Sequence, residues 1–211
     1  MGSTEILLVR HGQSEGNENG RFGGHGPTPL TALGRRQAEA TGAAIAAEGT
    51  VAAIFASDLV RAVQTAQPLV AATGVAMQTT PALRERSVGV FTGMTFAEAE
   101  EQHPEHFAAM MRREPDACPP EGETPRACLV RAGDFLEAAI AAHASGGGGR
   151  VVVVSHAFTL NLLVRRVLGL EESGTVFFRT DNCGVHRLRR SEAGFWNVEA
   201  LNDRRHLGGV K

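Results

Sequence analysis

The sequence predicts an α/β fold: a three-layer α/β/α sandwich built on a mainly parallel sheet. Three observations predict it. Short, near-continuous apolar runs recur, of the kind that suits strands covered on both faces. Alanine-rich helical segments alternate with them along the chain. Two of the apolar runs end in histidine, and open α/β sheets bind ligands just beyond the carboxyl ends of their strands. The 211 residues are enough for one domain with a sizeable core. The domain is read as 1–211, with a small helical insertion at about 95–123.

The elements follow in order. Ile6 to Val9 is a buried strand delivering Arg10 and His11 into a polar loop, and Gly20 to Pro29 is glycine-rich loop. Thr31 can cap a helix that runs to about Glu48. Val51 to Ala56 is a second strand, Arg61 to Ala72 a second helix closed by Gly74, and Val75 to Thr79 a short third strand. Thr95 to about Arg113 is helical but interrupted by Pro104, which predicts two short helices. Glu114 to Glu123 is proline-rich and irregular. Arg126 to Ala144 returns to helix and ends in a glycine turn, Gly146 to Gly149. Arg150 to Ser155 holds four consecutive valines, the strongest strand signal in the chain, and Leu160 to Leu168 is helical. Thr175 to Phe178, Gly184 to Leu188 and Phe195 to Ala200 read as further strands.

Composition narrows the function classes. A formal net charge of -2 gives no global basic field, which argues against nucleic acid and against an anionic membrane as partners. No apolar run approaches the ~18 residues of a membrane span, and no basic segment leads into a signal-peptide core. Cys118, Cys128 and Cys183 are few, odd in number and without CxxC spacing, so reduced thiols and a cytoplasmic location are expected. Composition does not fix the oligomeric state, for which a homodimer is the candidate assembly.

The chemistry is carried by the strand ends. One strand ends in Arg10-His11 and another in Ser155-His156. If the two are parallel neighbours, both imidazoles reach the same edge of the sheet. Arg61, just beyond the second strand, brings another guanidinium there. Two arginines and two histidines can surround a tetrahedral dianion through forked, charge-assisted hydrogen bonds. Proton transfer still needs a carboxylic acid, and Glu85 in Leu83-Arg84-Glu85-Arg86 is the best placed. Ser57 reads equally as an orienter of a catalytic group or as a structural cap, and Asp58 and Thr65 as capping and packing. His25, near the phosphate loop, could touch substrate but reads by default as a loop residue, and the remaining histidines read as surface or core.

Taken together, Arg10-His11-Gly12-Gln13-Ser14 with Asn17, then Ser57-Asp58-Leu59-Val60-Arg61-Ala62 with Thr65, then Leu83 and Glu85 with Gly89 and Gly93, and finally Ser155-His156 resemble the histidine phosphatase superfamily. That family includes cofactor-dependent phosphoglycerate mutases and many small phosphatases. The ordered motifs run from Leu7 to about Gly169, followed by a tail of familiar type from Leu201 to Leu207. The resemblance implies the phosphoglycerate mutase-like fold and a set of roles. His11 would be the nucleophile that forms a phosphohistidine. Arg10, Arg61 and His156 would bind the phosphoryl oxygens, joined by Asn17 and by the backbone of Gly23. Glu85 would protonate the leaving oxygen and then activate water. No metal and no other cofactor is implied, because the arginines supply the positive charge.

The chain departs from the family in ways that bear on substrate. Gly23 stands where a phosphate-contacting side chain is common, Pro27 where Asp is usual, and Ala157 where Gly commonly follows the second histidine. The mutases are expected to carry a Tyr shortly after the catalytic Glu and a Lys further on. Here those positions hold Val88 and Phe96, and the chain contains no Tyr. Arg112 and Arg113 match the mutase arginine pair and are candidate substrate contacts. Only Glu114 to Gly122 separates them from Glu123-Thr124, where mutases carry a longer insertion. The expected activity is therefore phosphomonoester hydrolysis, with the 2,3-bisphosphoglycerate-dependent mutase as the alternative. A metallohydrolase using His11 and His156, and a non-catalytic phospho-ligand binding module, are the competing classes; the first lacks HxH or HExxH spacing, and the second would not need an acid or a nucleophile.

Overall fold

A computed structural model describes residues 3–144, 149–172 and 176–210. Six strands form one sheet: β1 (Thr4–Arg10), β2 (Val51–Ser57), β3 (Met77–Thr80), β4 (Gly149–Ser155), β5 (Val185–Arg190) and β6 (Trp196–Asp203). Their order is β3-β2-β4-β1-β5-β6. The first four are mutually parallel, and β5 and β6 add an antiparallel edge. Among the described residues seven α-helices accompany them: α1 (Glu15–Glu18), α2 (Ala32–Ala47), α3 (Val60–Thr73), α4 (Phe96–Gln102), α5 (Pro104–Met111), α6 (Pro125–Ala144) and α7 (Ala157–Val167).

Strand alternation divides the core into two layers. Ile6, Leu8, Phe55, Val151 and Val153 face α6 and α7, packing with Leu136, Ile140, Leu160 and Leu163. Leu7, Val9, Ile54, Val152 and Val154 face the opposite way onto α2 and α3, packing with Ile45, Ala62, Ala66 and Leu69. Both faces of β1 and β4 are thus covered, which is why their sequences lack polar alternation. A bulge between Val51 and Ala53 brings β2 into register with β4.

Thr31 caps α2 by accepting from Gly34 N, and Gly74 closes α3 in the left-handed region at φ 71°. Pro104 starts α5 at its first turn, separating it from α4 as the sequence requires. Two expectations need correction. The segment 176–178 is irregular, not a strand, and its exposed Val176 and Phe177 mimic strand propensity; Thr175, with Gly146 to Gly148 of the expected glycine turn, lies outside the described residues. Helix α7 begins at Ala157, a turn before the expected Leu160, because His156 itself takes extended backbone as its N-cap. The short α1, closed by a capping box between Ser14 and Asn17, was not anticipated inside the polar loop.

Candidate active site

Register places the two histidines together. Strands β1 and β4 pair in parallel with Arg10 opposite Ser155, so both chains leave the sheet at one level. The next residues are His11 and His156, whose ring centroids lie 5.1 Å apart at 56°. His11 N donates to Ser155 O at 3.0 Å, tying the loops at the point of exit. Arg61 enters from the first turn of α3 beyond β2, and Arg10 from the end of β1 itself.

Each group is held differently. Nδ1 of His11 lies 2.7 Å from Gly12 O. A carbonyl only accepts, so Nδ1 carries the proton and Nε2 keeps its lone pair. The Arg61 guanidinium is almost fully buried and donates to the loop carbonyls Gly24 O (2.8 Å) and Gly26 O (3.0 Å). Gly23 packs against this guanidinium: a Cβ there would sit 3.6 Å from Arg61 Nη2. Arg10 Nη1 donates to Thr180 O at 2.7 Å. Its Nε, and both ring nitrogens of His156, are buried without a hydrogen-bond partner among the described residues. Asn17 Oδ1 accepts from Ser14 N and from Asn182 Nδ2, leaving the side-chain NH₂ as its donor. Unpaired buried polar atoms are costly; the N–H of Arg10 Nε and the one N–H of a neutral His156 are donors suited to an anion.

Glu85 comes from the loop after β3 and reaches the start of α7. Its Oε1 accepts from Arg86 N (2.9 Å) and Thr159 N (3.1 Å), and its Oε2 from Phe158 N (3.2 Å). The carboxylate therefore satisfies first-turn amides that α7 cannot satisfy itself. The Thr159 hydroxyl stands 2.9 Å from Arg84 O and 3.1 Å from Glu85 Oε1, buttressing the same segment. Both Arg10 and Arg61 feel the charge of Glu85.

Electrostatics follow from this burial. Desolvation, with the adjacent Arg61 and Arg10, holds His11 well below the usual histidine range. His156 is held low by burial first, then by Arg61, His11 and Arg10. Burial brings Arg61 down to about 10, so it remains cationic at neutral pH. The cysteines are free, and burial pushes Cys128 up to about 12 and Cys183 up to about 11, which keeps both as thiols.

The loop carrying His11 is shaped by glycine. A Cβ on Gly12 would lie 2.5 Å from Gly34 O, and one on Gly34 would lie 2.0 Å from Gln13 O. The two backbones thus approach where no side chain fits. Gly12 N donates to Thr65 Oγ1 (3.0 Å), whose hydroxyl donates to Arg61 O (2.7 Å). Thr65 is therefore a link between the His11 loop and Arg61, beyond the packing role read from the sequence. Its position four residues after Arg61, on the same helix face, was the available signal. Asn182 was also missed: its Nδ2 donates to His11 O at 3.0 Å, and nothing periodic marks it in the sequence.

Other singled-out residues lie elsewhere. Arg112 is solvent-exposed and pairs with Glu114 at 2.9 Å. The Arg113 guanidinium stands 4.6 Å from the Phe177 ring. Ser57 accepts from Leu59 N, and Asp58 forms a forked pair with Arg84 at 2.6 and 2.7 Å. His25 Nε2 donates to Glu85 O at 2.8 Å, a closer tie to the site than a plain loop residue would have. Among the described residues, no group of three or more His, Cys, Asp or Glu could hold a metal ion, and no helix is long and apolar enough to cross a membrane.

The family model for the histidine phosphatase superfamily (branch 1) matches residues 6–204. The chain is 31% identical over 211 residues to the probable phosphoglycerate mutase GpmB of Proteus mirabilis (strain HI4320), covering 98% of this chain and 96% of that one. Among solved structures, it resembles a putative alpha-ribazole-5'-P phosphatase from Escherichia coli (27% identity, TM-score 0.85, 96% and 97% of the two chains). It also resembles the mycobacterial glucosyl-3-phosphoglycerate phosphatase complexed with VO3 (26% identity, TM-score 0.84, 95% and 100%).

Proposed function

Because the chain belongs to the histidine phosphatase superfamily (branch 1), we propose that it is a phosphomonoester hydrolase acting on a small phosphorylated metabolite through a phosphohistidine on His11. The observation that carries this reading is the pair of buried imidazoles, 5.1 Å apart, set between two arginines. Arg10, Arg61 and His156, with Asn17 and the Gly23 backbone, bind the phosphoryl oxygens. Nε2 of His11 attacks phosphorus as the ester P–O bond breaks, and Glu85 gives its proton to the leaving oxygen. Water then attacks phosphorus, the N–P bond breaks, and Glu85 takes the water's proton back. The guanidiniums neutralise charge that grows on the transferring group, so the scheme needs no metal.

A cleft lined by Arg86, Arg113 and Arg165, with the carboxylates of Glu114 and Glu172 also on its wall, supports a leaving group that carries a second anion. Arg86 is buried, its guanidinium lies 4.5 Å from the Phe158 ring, and the one hydrogen bond that guanidinium makes to a described residue is long, to Ala117 O at 3.5 Å. Arg113 lines the same cleft with Phe158, Phe177 and Met110. Phe158 joins the two regions, since its amide meets Glu85 and its ring meets Arg86. Both arginines are exposed, but Arg113 lines this cleft whereas Arg112 pairs with Glu114, so Arg113 is the better candidate for reading substrate.

The name of the Proteus relative favours the mutase as a second reading. Against it, Val88 packs with Phe91 and Ala99 in a small core, and Phe96 stacks on Phe22 at 4.4 Å. Those positions serve packing instead of polar recognition. A screen of small phosphomonoesters, run beside 3- to 2-phosphoglycerate isomerisation with and without 2,3-bisphosphoglycerate, separates the two. Hydrolysis that survives chelators is expected. Bisphosphoglycerate-dependent isomerisation with negligible hydrolysis would replace the proposal with the mutase.

A further inference from the structure

Arg10 and His11 are held largely by a turn far away in sequence. Thr180 O accepts from Arg10 Nη1 (2.7 Å), Cys183 N donates to Arg10 O (3.1 Å), Gly184 O accepts from Arg10 N (3.1 Å), and Asn182 Nδ2 donates to His11 O (3.0 Å). Residues 180–184 therefore grip both the backbone and the guanidinium of Arg10. The mechanism uses none of the side chains that in turn fix this segment.

Arg179 and Arg204 pair with its Asp181 from the exposed side, and two further residues fix it from within the fold. His186, fully buried on β5, lies opposite Leu8 of β1. Its Nδ1 accepts from Asn202 N at 3.2 Å. The neutral ring therefore carries its proton on Nε2, which donates to Thr180 Oγ1 at 2.7 Å. Asn202, on β6, secures the next residue: its Oδ1 accepts from Asp181 N (2.8 Å) and its Nδ2 donates to the Asp181 carboxylate (3.0 Å). Asn202 adopts a left-handed φ of 53°, which asparagine tolerates. It also comes so close to Gly184 that a Cβ there would lie 2.1 Å from Asn202 Oδ1. One residue thus touches the turn at 181 and 184 and orients the histidine that holds 180.

We propose that His186 and Asn202 are positioning residues for phosphoryl binding: acting through Thr180 and Asp181, they set the direction in which the Arg10 guanidinium faces the phosphoryl group. The inference rests on Arg10 being a phosphate-binding cation. Forked recognition by arginine depends on angle as well as distance, and misplacement by about 1 Å can cost as much as ~10²-fold in rate. A relay that fixes Nη1 of the guanidinium, while the buried Nε has no hydrogen-bond partner among the described residues, has the form such a device needs.

The test uses the full chain and two readouts: affinity for inorganic phosphate by titration calorimetry, and kcat and KM on an aryl phosphate. His186→Leu is expected to weaken phosphate binding on the order of tenfold, with His186→Gln, which keeps a donor for Thr180, recovering most of it. Asn202→Gly preserves the left-handed backbone while removing both side-chain bonds, and is expected to match His186→Leu; it carries the comparison if the leucine variant does not fold. In an Arg10→Lys background, His186→Leu is expected to add nothing further. Lowered thermal stability with unchanged phosphate affinity and kcat/KM would overturn the proposal, as would full additivity with Arg10→Lys. If Arg10→Lys alone leaves phosphate affinity unchanged, the reading of Arg10 as a phosphate-binding cation fails first.

Discussion

The tautomer of His11 decides what the site can do. With its proton committed to Gly12 O at 2.7 Å, the ring presents a bare Nε2, and burial beside Arg61 and Arg10 keeps it neutral. As the proposed nucleophile, His11 therefore needs no separate base. The proposed acid, Glu85, is a separate residue, anchored by backbone amides of Arg86, Phe158 and Thr159. Glu85→Gln retains size but cannot donate and regain a proton. Its kcat is expected to fall by ~10²–10⁴, while inorganic phosphate affinity, measured by calorimetry, stays within a few-fold. A kcat within a few-fold of the parent would remove Glu85 from the chemistry. At this scale the sequence was most informative for residues that carry charge at strand ends. His11, His156, Arg10 and Arg61 converge as the sequence led one to expect. Thr65 and Asn182 act through a hydroxyl and an amide contributed across 53 and 171 residues, and such contacts leave no local pattern.

At the scale of elements, the strands deliver the groups and the glycines set how closely the loops pack. The pairing of Arg10 with Ser155 converts two unrelated sequence positions into neighbours. Gly34 lets the first turn of α2 meet the His11 loop. Gly34→Ala would place a methyl 2.0 Å from Gln13 O, a backbone atom that must move. The variant is expected to lose about 1–3 kcal/mol of stability in denaturant titration and to lose kcat with it, because Gln13 and His11 share the loop. Unchanged stability and rate would show that the loop yields freely. Strands β1, β2 and β4 were legible because burial on both faces leaves uninterrupted apolar runs. The segment 176–178 misled because Val176 and Phe177 are exposed apolar side chains beside Arg113, so their β-branched and aromatic character serves a local contact instead of a ladder.

Across the whole molecule, what the sequence could not supply was the order of the strands. Alternating elements imply a parallel sheet, but the antiparallel edge formed by β5 and β6 depends on pairings no local pattern encodes. That edge contributes the turn gripping Arg10. It also buries His186, whose desolvation brings it down to about 4 from the ordinary 6.5. His11 and His156 are lowered in the same sense. The unfolded chain therefore binds protons at higher pH than the native protein, and native stability is full above about 6.5 and falls as pH drops toward 4. The His186 contribution alone is about 3 kcal/mol at the acid end. Denaturant titrations from pH 7 to 4 are expected to trace this loss, with His186→Gln flattening part of it; a flat profile would contradict the buried neutral histidines. The central claim, a covalent phosphoryl group on His11, is tested most directly by alkaline quenching of enzyme mixed with an aryl phosphate, followed by mass spectrometry of the digested chain. The account predicts an acid-labile phosphoryl group on the peptide holding His11, absent in His11→Ala, which should also lack turnover. Phosphate on any other residue, or hydrolysis that persists in His11→Ala, would contradict it.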